Sequence, residues 1–283
     1  MDTNLIGAHV SAAGGPQKAV ERAVELGVSV FQTFGSSPKQ YQVAEPKEED
    51  VLAFKQARKE AGITHIFLHG PYLVNLASST PAVRHSSRTA LAGHLRIAQK
   101  LGADGVIFHV GSVGAGNHKG DALERVIKGM KEVLEKVPGS ADLILENGSG
   151  GGGKIGSTIE DIATIVKGVD SKRVGVCVDT CHAFTAGVLV CTPEGINDFF
   201  DNWEQELGEG VLRAIHANDS KAEAGSYMDR HENIGEGRIG KDGFRNLAND
   251  PRASKLPWIL EVPGFEGGGP DKKNIAILRK IIS

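Results

Sequence analysis

The stretch VGVCVDTCHAF, residues 174–184, is an apolar run that ends on a carboxylate, Asp179, with an imidazole, His182, three residues on. The pattern recurs along the chain. Short apolar runs also end at His69, His109, Glu146, His216 and Glu261, and a run near the start ends at His9. The loop after His216 adds Asp229 and His231, which alternate, so in extended chain both point one way while Arg230 points the other. Imidazoles and carboxylates without thiolates suit Zn²⁺ or Mn²⁺ better than Mg²⁺, which prefers oxygen alone. Leaving His9 aside, these are nine candidate ligands, more than the roughly four that one tetrahedral ion takes. They suffice for two or three ions, with carboxylates bridging and positions left for water and substrate. Four carboxylates brought together without cations would repel one another or lie desolvated without compensation. The pattern therefore predicts bound cations.

Such a set needs a scaffold that brings strand ends to one place. Strand-like apolar runs cover residues 5–9, 28–34, 65–69, 105–109, 141–146, 174–179, 211–216 and 257–261. Between and after them, amphipathic helical patterns cover 15–26, 48–61, 81–101, 120–137, 158–169, 192–207, 241–249 and 271–282. In STIEDIATIV, Ser157 reads as the N-cap of the fifth helix, with Glu160 three residues on. Strands apolar on both faces, each followed by a helix, indicate a parallel sheet covered by helices. Eight such units predict a single α/β TIM (β/α)8 barrel domain over residues 1–283, with its active site at the C-terminal strand ends. A doubly wound open sheet is the rival, but no GxGxxG follows the first strand. GSGGGGK at 148–154 reads as a flexible turn rather than a phosphate loop.

Composition bounds the function. At 40% hydrophobic and 24% charged residues, the chain can bury a sizeable core. No segment approaches the roughly 18 unbroken apolar residues of a membrane helix, and MDTNLIGAHVSAAGG lacks the basic and apolar regions of a secretion signal. Three cysteines, odd and sparse, suit a reducing compartment, hence the cytoplasm, beside the nucleoid in a bacterium. A net charge of −3 speaks against a nucleic-acid partner unless bound cations offset it. His65, His85, His94 and His118 read as surface or packing residues, whereas His9 is open between ligand, phosphate contact and a hydrogen-bonding residue behind the ligands.

Taken together, GAHVSAAGG, HGPYLVNLAS, FHVGS, LILENGSG, GVCVDTCHAFTAG, HANDSK, DRHENIGEG and ILEVPG resemble the endonuclease IV family of apurinic/apyrimidinic endonucleases, from Ile6 to about Pro263. The resemblance implies a barrel with three Zn²⁺ per chain, Mn²⁺ being an alternative at one or more sites. Its expected reaction is cleavage of double-stranded DNA on the 5′ side of an abasic site, leaving a 3′-hydroxyl and a 5′-deoxyribose phosphate. It further implies that Glu146 bridges two ions and activates the attacking water. His69 and His109 would complete the first site, and Asp179, His216 and Glu261 the second. His182, Asp229 and His231 would form the third. Tyr72 and Leu73 match the pair that inserts into DNA, and Lys39 and Arg230, with Lys154, Lys221 and Arg238, lie in loops that could meet the backbone. The chain departs from the family where TKNxRxW becomes GSSPKQY, placing Ser37, Lys39 and Tyr41 in the equivalent positions. HVGS also stands for HPGS, and ENGSGGGG for ENTAGQG. A monomer is expected. The alternative is a divalent-metal sugar isomerase or epimerase on the same barrel, with one or two ions; a non-catalytic damage binder is a third possibility.

Overall fold

In the computed structural model, which describes residues 5–114 and 118–283, all eight apolar runs are strands. Met1–Asn4, part of the stretch read for a secretion signal, lie outside the described residues. The first half of the chain runs β1 (Ile6–His9), α1 (Pro16–Leu26), β2 (Val30–Phe34), α2 (Glu48–Glu60), β3 (His65–His69), α3 (Pro81–Leu101), β4 (Gly105–Phe108), α4 (Lys119–Lys136) and β5 (Asp142–Glu146). The second half runs α5 (Ile159–Val169), β6 (Val174–Asp179), α6 (Thr180–Thr185), α7 (Pro193–Leu207), β7 (Leu212–His216), β8 (Asp219–Ser220), β9 (His231–Glu232), α8 (Gly240–Asn249), β10 (Trp258–Leu260) and α9 (Lys272–Ile282). Eight strands close into a barrel in the order β1-β10-β7-β6-β5-β4-β3-β2, every neighbouring pair parallel. This is the TIM barrel that the alternation of strands and helices predicts.

One residue from each strand sets the barrel's inner layer. Val30, Phe67, Ile107, Ile144, Cys177, Ala214 and Ile259 form a closed apolar cluster at the centre. Burying each larger member contributes about 1.5–3 kcal/mol. β1 contributes Gly7, where a Cβ would lie 2.4 Å from the Val30 carbonyl oxygen, so nothing larger fits. Because side chains alternate, the residues two further along each strand point the same way. They are His9, Gln32, His69, His109, Glu146, Asp179, His216 and Glu261. An apolar plug is thus capped by one polar layer.

Three local features differ from expectation. The N-cap of α5 is Thr158, one residue later than Ser157: its Oγ1 accepts from Asp161 N at 3.3 Å. The Asp161 side chain in turn accepts from Gly156 N at 3.2 Å, two residues before the cap. Residues 148–154 form a turn that is tied down: Val113 N donates to Gly153 O at 2.8 Å and Ile155 N to Gly111 O at 3.0 Å. Finally, β8 and β9 pair as an antiparallel ribbon, Ser220 opposite His231. With two residues in each strand, that ribbon is too short to show a sequence period.

Candidate metal centre

Glu146 stands at the middle of the polar layer with its side chain fully buried. Its Oε2 is 3.1 Å from His69 Nε2 and 3.3 Å from His109 Nε2, and its Oε1 is 3.0 Å from His216 Nδ1. His216 Nδ1 also lies 3.4 Å from Glu261 Oε2 and 3.9 Å from Asp179 Oδ2. A second layer comes from the loops. Asp179 caps α6, accepting from His182 N at 2.8 Å, and that single turn carries His182 over the mouth. The ribbon then brings back Asp229 and His231: His182 Nε2 is 3.1 Å from Asp229 Oδ2, and His231 Nε2 is 3.4 Å from Asp229 Oδ1.

Donor atoms therefore gather in compact groups, those within a group lying no more than 4.8 Å apart: His69–His109–Glu146, Glu146–Asp179–His216–Glu261 and His182–Asp229–His231. All nine candidate ligands are brought together. Asp179, Cys181 and His231 make a further group. Burial pushes the Cys181 thiol up to about 12, and its Sγ donates to Arg230 O at 3.7 Å, so it packs as a neutral thiol. His9 Nδ1 lies 3.1 Å from Glu261 Oε1, beside these groups and in none of them.

The histidines are aimed by their second nitrogens. His69 Nδ1 donates to Gly70 O (2.7 Å), His182 Nδ1 to Asn147 O (3.0 Å) and His231 Nδ1 to Glu261 O (3.3 Å), while His216 Nε2 donates to Gln32 Oε1 (3.0 Å). Each leaves its other nitrogen facing the carboxylates, the tautomer a metal ligand requires. His182 Nε2 and His231 Nε2 are buried without a hydrogen-bond partner, although Asp229 oxygens lie close to both. Orphaned buried nitrogens cost about 1–3 kcal/mol each, and a shared cation would remove that cost. The donor set thus fits divalent ions of the zinc type.

Three amides that the sequence reading passed over hold the carboxylates in place. Asn147 brackets Asp179, accepting from its N at 2.6 Å and donating to its O at 3.3 Å. Asn218 Nδ2 donates to Asp179 Oδ2 at 2.7 Å while its Oδ1 accepts from Glu261 N at 2.8 Å. Gln32 Nε2 donates to Glu261 Oε1 at 2.5 Å. Gln32 could have been found as a polar residue two beyond Val30, on the strand face that carries the ligands elsewhere in the barrel. Asn147 follows its ligand directly, but nothing local marks Asn218 as a cross-strand tie.

Electrostatics tie these groups into one unit. Burial alone would push Glu146 up, but the surrounding His109, His216 and His69 imidazoles hold its carboxyl well below its usual range. Desolvation opposes charge on His182, yet Asp179, Asp229 and Glu146 outweigh it and raise the imidazole to about 10. His216 is raised against its burial too, helped by Cys177, Glu261 and Glu146. A cation entering here would displace protons from imidazoles.

Around the mouth, Tyr72 and Leu73 are exposed, as are Lys39 and Arg230. The altered loop after β2 is fastened to the Tyr72–Leu73 loop: Tyr72 N donates to Pro38 O at 3.1 Å and Tyr41 Oη–H to Leu73 O at 2.6 Å. Lys221 and Arg238 are paired with Glu232 and Glu223. His94 is buried in α3 and donates to Ala90 O, and His65 pairs with Asp104 at the start of β3, far from the mouth. Among the described residues, no helix is long and apolar enough to cross a membrane.

A closed barrel with imidazoles and carboxylates at its C-terminal mouth defines the class of xylose isomerase-like TIM barrels, and the family model of that description matches residues 20–281. Within that class, the chain is 40% identical over 281 residues to a probable endonuclease 4 of Methanoculleus marisnigri, covering 98% of both. It is 36% identical over 285 residues to the probable endonuclease 4 of Trichlorobacter lovleyi, covering 99% of this chain and 100% of that one. The crystal structure of endonuclease IV from Thermus thermophilus superposes with a TM-score of 0.86 at 33% identity, covering 98% of each chain. The chain belongs to the endonuclease IV family of phosphodiester hydrolases. A D-tagatose 3-epimerase-like protein, TM-score 0.72 at 21% identity, shares the fold alone.

Proposed function

We propose that this chain is a DNA-repair endonuclease that hydrolyses the phosphodiester 5′ to an abasic site in double-stranded DNA, using three zinc ions. The observation that carries this reading is the sharing of Glu146 between two donor groups, with a third group delivered by the ribbon. His69, His109 and Glu146 would hold one ion; Glu146, Asp179, His216 and Glu261 the second; His182, Asp229 and His231 the third. Mn²⁺ suits the same donors. When bound, such ions lower the pKa of water toward about 7 and neutralise phosphate oxygens.

The protein's own part is to aim donors and admit substrate from one side. Among the histidines of the three donor groups, His109 is the most open to solvent, with 39% of its side chain exposed, so substrate reaches the layer there. Water attacks phosphorus as the P–O3′ bond breaks, leaving a 3′-hydroxyl and a 5′-deoxyribose phosphate. An abasic nucleotide has lost pairing and most of its stacking, so it flips out at least cost. Tyr72 and Leu73 fill the gap it leaves, and Lys39 and Arg230 meet phosphates. His9 steadies Glu261 from behind, its Nδ1 lying 3.1 Å from Oε1. One chain carries every donor, which supports a monomer built as one barrel domain over residues 1–283. Three free thiols support a reducing cytoplasm shared with DNA.

A nicking assay on a duplex with one abasic site tests this reading. The expected product is a 3′ end that a polymerase extends directly, with three zinc ions per chain and no cleavage after exhaustive chelation. Absence of nicking by the zinc-loaded protein, with one or two ions bound, would favour sugar isomerase chemistry instead.

A further inference from the structure

Two exposed aromatic–aliphatic pairs stand on the rim: Tyr72–Leu73 after β3, and Tyr227–Met228 between the ribbon strands, Tyr227 at 55% and Met228 at 54% exposure. The first pair belongs to the reading above and the second has no place in it. Tyr227 holds φ at +59°, a left-handed conformation that only Asp170 shares among the described non-glycine residues. For a bulky side chain that backbone is unfavourable and persists only where its surroundings enforce it. Here they do. Tyr227 N donates to Thr185 O at 2.9 Å. Its ring rests on the glycine turn after β5: a Cβ on Gly150 would come within 2.6 Å of Cδ1, and one on Gly151 within 2.9 Å of Cβ. Gly150, Gly151, Gly152 and Gly153 all hold positive φ, which lets bare backbone pass beneath the ring. The ring is thus supported from below while more than half of the residue stays in solvent.

Its position is informative. β3, β4 and β5 are neighbours in the barrel. Tyr72 follows β3, the open His109 follows β4, and the turn beneath Tyr227 follows β5. The accessible edge of the donor layer therefore lies between two exposed aromatic residues. The same turn carries Lys154, whose Nζ donates to Ser149 Oγ at 2.5 Å. An aromatic face beside an ammonium group is the pairing that single nucleotides engage, base on ring and phosphate on cation.

We propose that Tyr227 and Met228 form a second DNA-contacting platform, on which a base flanking the flipped nucleotide stacks while Lys154 takes the adjacent phosphate. This rests on the reading of the chain as a DNA endonuclease. Tyr227→Gly is the decisive variant, because glycine adopts the same φ freely and removes only the ring. The zinc-loaded enzyme carrying it should show KM for abasic duplex raised about tenfold, the order expected for loss of one stacked base. Its kcat should stay within about twofold and its metal content should not change, while Tyr227→Phe should retain the parent KM. Equilibrium binding of the nicked product duplex, followed by anisotropy, should weaken in parallel. Unchanged KM and binding in Tyr227→Gly would overturn the platform, as would a fall confined to kcat together with lost metal, which would make the ring a buttress for Asp229. If the parent protein binds duplex but never nicks it, the endonuclease reading fails, and duplex binding that still depends on the ring upholds the platform. A parent protein that binds no duplex overturns both.

Discussion

Replacing Glu146 by Gln probes the centre most directly. The carboxylate is fully buried, and four imidazoles lie within 3.4 Å of its oxygens: His69, His109, His182 and His216. Gln keeps the volume and one acceptor oxygen but turns an NH₂ toward nitrogens that need an acceptor or a cation. Breaking one partner out of a buried charge pair costs about 3–5 kcal/mol. If that loss falls on the transition state, it corresponds to a fall in kcat of about 10² to 10⁴, at about 1.4 kcal/mol per tenfold. Because Glu146 belongs to two donor groups, the variant should also lose ions from both, while His182, Asp229 and His231 keep theirs. The assay combines single-turnover nicking of an abasic duplex, elemental analysis of gel-filtered protein and thermal melting with and without added zinc. The variant should still fold, since its apolar plug lies one layer below. Near-parental kcat with three ions bound would refute the bridging role, and with it the argument that the charge of this carboxylate organises the site.

Metal affinity should climb with pH, because His182, raised to about 10, must release a proton to become a ligand; chelator competition at pH 6.5 and 8.5 showing equal affinity would contradict this. In the metal-free protein the sign reverses: the raised His182 contributes stability in full below its ordinary value of 6.5 and loses it as pH rises through about 10, so melting temperature should fall across that window unless zinc is present. Gln32→Leu keeps the barrel filled but leaves His216 Nε2 and Glu261 Oε1 without their amide, so zinc should dissociate about tenfold faster for a loss near 1.4 kcal/mol, read by transfer to a chromogenic chelator. Tyr41→Phe removes the hydrogen bond to Leu73 O, worth about 1 kcal/mol, and should raise KM severalfold with kcat unchanged; an unchanged KM would show that the altered loop does not brace the Tyr72–Leu73 pair.

Much of this could be read along the chain. Short apolar runs and amphipathic helices predicted each barrel strand, with small differences only at its ends, since both signals are local. The convergence of His69, His109, Glu146, Asp179, His216 and Glu261 was legible for the same reason: parallel strands place their C-terminal ends at one mouth. Asp229 and His231 were legible as an alternating pair, though the ribbon that returns them was not. Thr158 rather than Ser157 caps α5 because its hydroxyl is the one that meets the Asp161 backbone N–H, which depends on where the chain turns into the helix.

By itself, then, the sequence determined the residue types, their strand-end positions and the barrel, because periodicity and alternation act over a few residues. Only the tertiary structure decided which donors share an ion-sized space, which nitrogen each imidazole presents, and that Gln32, Asn147 and Asn218 hold the carboxylates. Those outcomes depend on closing β1 against β10, segments from opposite ends of the chain. They also depend on ångström-scale distances across the mouth, to which no local pattern is sensitive.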